Sequence, residues 1–176
     1  MRAMGPGSVS SLLKTALDVV YVILWVMVAA ALLLAIVVLF LQNDRQATLQ
    51  DGDFMVRVNV TGPRASILLV CGAIYLSIIQ FVIGRLRRLF TTLTAGDPFH
   101  PDNVARLRMI GIGLAVLELA TVAQQVGTPL LLTEGAAHLR MPGLDITAWF
   151  AVIVVFVLAE VFREGARLRR EAELTI

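Results

Sequence analysis

The chain of 176 residues is 58% hydrophobic and 16% charged, a balance that excludes a soluble globular domain and places the protein in a membrane. Its fifteen basic and thirteen acidic residues leave a net charge of +2, which argues neither for direct nucleic-acid binding nor for an acidic partner. One cysteine, Cys71, excludes an intramolecular disulfide, and two histidines without HExxH or CxxC spacing supply no metal-ligand set. No metal or cofactor is expected. With no nucleophile–base pair in view, an enzyme is not expected either.

In chain order, residues 19–41 are an unbroken uncharged run of 23, which at about 1.5 Å per residue crosses a hydrocarbon core of about 30 Å. This run is too long for a signal-peptide core and has no small-residue cleavage site after it, so cleavage is not expected. Ser10 or Ser11 is read as the cap of its extension, and Asp18 marks the lipid boundary. Residues 42–64 are polar and mixed in charge. Within them Phe54, Val56, Val58 and Val60 alternate with Met55, Arg57 and Asn59, the period of a β-strand. A lone strand is unstable, and residues 138–140 are its expected partner. The second span is 65–84, with Cys71, Tyr75, Ser77 and Gln80 as polar breaks.

Residues 85–109 are expected to form a helical hairpin. Leu86, Leu89, Phe90 and Leu93 recur at the period of one helical face, and Gly96 and Pro98 end the helix near Ala95. His100 falls at the N-cap of the next helix, Pro101 at its first position and Asp102 near its positive end. Phe99 and Val104 occupy the positions of a hydrophobic staple. Val104, Leu107 and Gly111 are expected to face Leu86, Phe90 and Leu93. The third span, 110–132, contains Glu118, Thr121, Gln124 and Gln125. After a short loop, Asp145 or Thr147 caps the fourth span, 148–162, whose helix continues as a tail, 163–176, through Leu158, Val161, Gly165, Leu168 and Ala172. The expected fold class is all-α integral membrane: one domain over 1–176, a four-helix transmembrane bundle with a cytoplasmic hairpin and a small exterior β element.

Charge sets the expected orientation. Eleven of the fifteen basic residues lie in the N-terminal flank, the hairpin and the tail, against Arg45, Arg57, Arg64 and Arg140 in the other two loops. The positive-inside rule then puts both termini and the hairpin in the cytoplasm. The basic faces read most simply as retention signals and contacts for anionic lipid.

Glu118 is the sharpest single residue, about 12 Å into its span with no lysine or arginine in any span to pair with it. Two readings stand: a proton-responsive or ligand-binding carboxyl, or a neutral one hydrogen-bonded across the bundle to Tyr75, Ser77 or Gln80. Gly111, Glu118, Thr121 and Gln125 share a stripe expected to face other helices. Gln124 and Gln125 are read as interhelical hydrogen-bonders or the lining of a small-molecule site. Glu160 is expected to pair with Arg163.

Two segments, LFTTLTAGDPFHPDNVARLRMIG (89–111) and VFREGARLRREAELTI (161–176), resemble the signature regions of a bacterial family of four-span membrane proteins of unknown function. The residues that carry the resemblance are Gly96, Pro98, Phe99, Asn103, Leu107, Arg108, Ile110 and Gly111, then Phe162, Arg163, Gly165, Leu168, Glu173, Leu174 and Thr175. His100 departs from the small polar residue expected at its position. Members of that family are often encoded beside a small Cro-type helix-turn-helix regulator. The resemblance therefore implies a regulatory or scaffolding membrane partner of a cytosolic transcription factor, located in the bacterial inner membrane. The expected partner-binding residues are Arg85, Arg87, Arg88, Pro98, Phe99, Asn103, Arg163 and Gly165. The competing reading is a small transporter or proton-coupled permease subunit that uses Glu118 and, with only four spans, works as a homo-oligomer.

Overall fold

The computed structural model describes residues 9–40, 45–51, 54–60, 62–95, 99–132, 143 and 145–174. Nearly all of these lie in four helices, α1 (Val9–Phe40), α2 (Gly62–Thr94), α3 (Pro101–Leu132) and α4 (Ile146–Glu173), and two strands, β1 (Arg45–Asp51) and β2 (Phe54–Val60). The shortest helix has 28 residues and the longest 33, so each is longer than the roughly 20 residues a bilayer core requires. All four are long and apolar enough to cross a membrane. Their apolar side chains face outward. On α1, Val22, Trp25, Val26, Leu33 and Ile36 are exposed while Leu24, Val28 and Ala35 form a narrow buried stripe. Such a surface invites aggregation in water and is matched only by hydrocarbon.

The helix ends follow local chemistry. α1 is described from Val9, so the expected caps Ser10 and Ser11 fall within its helical residues. α2 ends at Thr94, and the Ala95 N–H still reaches the Thr91 carbonyl at 3.2 Å; the expected turn at 96–98, with Gly96 and Pro98, lies outside the described residues. His100 caps α3 as expected, its Nδ1 accepting from the Asp102 N–H at 3.2 Å, with Pro101 opening the helix. Asp145, and not Thr147, caps α4: its carboxylate accepts from the Thr147 and Ala148 N–H groups at 2.9 and 3.3 Å. α4 overruns the short apolar stretch at 148–162 by more than two turns, to Glu173.

The strand at Phe54–Val60 is present, but its partner differs from expectation. β2 pairs antiparallel with β1, in a register running from Arg45 opposite Val60 to Asp51 opposite Phe54. Only two residues separate the strands, the commonest connection for an antiparallel hairpin. Residues 138–140, the expected partner, lie outside the described residues.

The chain divides into two compact units. One comprises Met1–Leu24, Ile78–Glu118 and Asp145–Ile176; the other comprises Trp25–Ser77 and Leu119–Leu144. Within the second, the buried Ser66 hydroxyl lies 2.9 Å from the carbonyls of both Ala35 and Gly62, so its single proton ties α1 to the first turn of α2. Ser77, in the same unit, turns its hydroxyl back onto the Ala73 carbonyl at 2.7 Å.

Candidate functional site

The first unit holds nearly all the residues that the sequence marks. Its core is small: Leu89 of α2, Leu107 of α3 and Ala159 of α4 are buried together, with Leu86, Leu93 and Phe162 packed around them. Of the facing residues expected from sequence, Leu86, Leu93 and Leu107 belong to this core, with Leu89 in place of Phe90; Val104 is not among its members. Gly111 does not join it. A Cβ there would meet the Phe156 ring at 3.0 Å, so Gly111 faces α4 and not α2. The reason is rotational: four residues on from Leu107 the helix has turned about 40° past the same direction.

Asn103 is the polar centre of this core, with no exposed surface. Its Oδ1 accepts from Arg106 Nη1 at 3.0 Å and lies 2.9 Å from the Thr92 hydroxyl. Arg106 Nη1 also donates to the Arg88 carbonyl at 2.9 Å, and its guanidinium reaches Asp102 at 3.6 Å. One arginine thus links the Arg88 carbonyl of α2, which also accepts from the Thr91 hydroxyl at 2.7 Å, to the buried amide of α3.

The two resemblance segments, separated by residues 112–160, meet beside this centre. The Phe99 ring packs on Phe162 with centroids 5.8 Å apart and planes at 49°. It also covers Gly165, where a Cβ would stand 2.5 Å from Phe99 Cε1. Only glycine admits the ring at that distance. Phe99 thus joins the start of α3 to α4 through Phe162 and Gly165.

The arginines are mostly matched within the unit. Arg87 bonds Asp18 at 2.5 Å and stacks over Tyr21 at 4.4 Å, fastening α2 to α1. Arg85 lies over Phe81 at 4.9 Å. Glu160 pairs with Arg163, as expected, and also lies 3.9 Å from Arg108. Arg167 pairs with Glu164 and Glu171 at 2.7 and 3.4 Å. Of the proposed contact residues, Arg88 is exposed; Asn103 is buried and Gly165 covered; Pro98 lies outside the described residues. Outward-facing apolar groups remain on α4, with Leu168 54% and Leu174 83% exposed. Arg106 and Thr92 were not singled out from sequence. The spacing of Asn103 and Arg106 on one helical face was the available signal for the first of them.

Deeper in the same unit, Glu118 is 9% exposed and Gln80 8%. The contacts of Thr92 with Asn103, and of Val82 with the position a Cβ would take at Gly113, set an antiparallel register that puts Gln80 and Glu118 within about one turn of each other. Gln80 Nε2 is buried without a hydrogen-bond acceptor, so it does not donate to the Glu118 carboxyl, and the expected link across the helices is not formed through that amide. The expected stripe is also incomplete: Gly111 and Glu118 are buried, whereas Gln125 is exposed. A repeat of seven drifts about 20° per heptad on a straight helix, enough to turn the stripe outward over its length.

Among the described residues no group of three or more His, Cys, Asp or Glu could hold a metal ion. No curated protein and no solved structure matches the chain. The family model described as "Protein of unknown function (DUF2975)" matches residues 56–176, from within β2 through both resemblance segments to the end of the chain, and the protein belongs to that family.

Proposed function

We propose that this membrane protein is a scaffold that holds a small cytosolic regulator, of the helix-turn-helix type that the resemblance implies, against the end of the bundle built by Leu89, Asn103 and Phe162. The observation that carries the reading is the seating of Phe99 on Phe162 and Gly165. It joins two separate signature segments into one rigid platform. The partner would meet what this platform presents outward, Arg88, Leu168, Arg170 and Leu174, and not the arginines already matched by carboxylates.

The orientation follows from the charge count, with the platform and both termini cytoplasmic and the β1–β2 hairpin exterior, in a bacterial inner membrane. A reporter fused after Ala95 or at Ile176 is expected to read cytoplasmic, and one after Asp51 exterior; an exterior signal at Ala95 would overturn the four-span topology.

Co-purification tests the function. A small regulator encoded beside this chain is expected to co-purify with it, and to be lost when Arg88→Glu, Leu168→Asp and Arg170→Glu are combined, at unchanged membrane abundance. Glu118→Gln is expected to leave capture intact. The buried Glu118, at a level of the bundle within about one turn of the buried Gln80 amide, favours a second reading, a proton-coupled transport subunit. Capture that survives the platform changes but fails in Glu118→Gln would move the working site to the bundle interior.

A further inference from the structure

The second unit contains a half-open groove of about 220 Å³ between α2 and α3. Leu68, Cys71, Ile74 and Tyr75 form one wall, and Ala120, Ala123, Gln124, Gly127, Thr128 and Leu131 the other. On α3 the lining runs over eleven residue steps, a length of about 16 Å along the helix, so the groove is long and narrow. Small residues create the concavity. Gly127 has nothing within 4 Å of where a Cβ would stand, and the space in front of it is open.

Three occupants are conceivable on chemistry, and two fit poorly. Water, at about 30 Å³ each, would need several molecules with two to four polar partners apiece, and the walls are overwhelmingly apolar. A second copy's helix, about 10 Å across, could place only side chains in a slot of about 220 Å³. The groove lies on two membrane-crossing helices, where the surrounding solvent is made of alkyl chains, and a long apolar slot open on one side matches one such chain. We propose that this groove binds one acyl chain of a membrane phospholipid as a defined site, with Gly127 and Ala123 as the residues that keep it open. This inference is independent of the scaffold reading.

The chain supplies its own reporter. Cys71 is the one cysteine in the sequence, it lines the groove and its thiol is exposed. The full-length protein is purified in a mild detergent, and native mass spectrometry then counts the phospholipid retained. Wild type is expected to keep one phospholipid, and Gly127→Leu to lose it while keeping its helix content and unfolding midpoint. If Gly127→Leu fails to fold, Ala123→Leu fills the slot from the neighbouring turn and carries the same expectation. In a parallel arm, adding dioleoyl phosphatidylglycerol to delipidated wild type is expected to slow N-ethylmaleimide modification of Cys71 several-fold, and to have no such effect in the filled variant. Equal lipid retention by wild type and filled variants would overturn the proposal, as would a Cys71 rate indifferent to lipid. A shift from dimer to monomer on filling the groove would also overturn it, because the occupant would then be a second copy.

Discussion

Replacing Asn103 with alanine is expected to lower the unfolding free energy in detergent by about 2–3 kcal/mol, the largest loss from any single polar side chain in the first unit. The amide has no exposed surface, and its Oδ1 is the acceptor for a charged donor, Arg106 Nη1, at 3.0 Å. Hydrogen bonds to charged groups contribute about twice what neutral ones do. The Thr92 contact matters less. Its hydroxyl carries one proton and lies 2.7 Å from the Leu89 carbonyl as well as 2.9 Å from Asn103, so losing Asn103 leaves it a local acceptor. Thr92→Val should therefore cost under about 1 kcal/mol, and Arg106→Leu about 2 kcal/mol, since it also abandons the Arg88 carbonyl. Equal losses for Asn103→Ala and Thr92→Val, in a titration with sodium dodecyl sulfate, would contradict this ranking.

Gly113→Val is expected to cost a comparable 2–3 kcal/mol through overpacking. A Cβ at Gly113 would stand 2.6 Å from Val82 Cγ2, an approach that real Cβ atoms do not make. Val82 is β-branched on a helix and has one strongly preferred rotamer, so its methyl cannot swing aside as the end of a lysine or methionine could. α2 and α3 would have to separate. Gly113 is thus a close-approach residue of the kind that brings membrane helices together. Val82→Ala, nearly neutral alone, should restore more than half of the loss when combined with Gly113→Val. A double-mutant cycle with no coupling between the two positions would rule out the contact as the cause.

The four helices were legible because three apolar runs reach bilayer length and the fourth, at 148–162, continues one apolar face beyond it, and the caps at His100 and Asp145 because cap chemistry is local. The pairing of β2 was not foreseen. Arg45–Asp51, RQATLQD, alternates only through Ala47 and Leu49 and has Thr48 as its one β-branched residue, a weaker signal than the one that marked Phe54–Val60. A signal did exist in Gly52-Asp53, a two-residue connection of hairpin type. At the candidate site, the sequence named Phe99, Asn103 and Gly165 but could not show that they belong together, because contact between segments this far apart is set by how α3 and α4 pack. The arginines gain partners that the linear sequence does not show. Read along the chain they form a basic face; in the folded unit Arg87, Arg106, Arg108, Arg163 and Arg167 each have a carboxylate within 4 Å.

That matching has a consequence for biogenesis. While the nascent chain is being inserted, Arg108 is made long before Glu160, so this cation crosses the ribosome exit without its partner and acts at full strength as an orienting signal. Once the helices assemble, the same groups neutralise one another. Five of the eleven basic residues that set the expected orientation are then paired with carboxylates, and raising the salt concentration should disturb insertion more than it disturbs the finished fold.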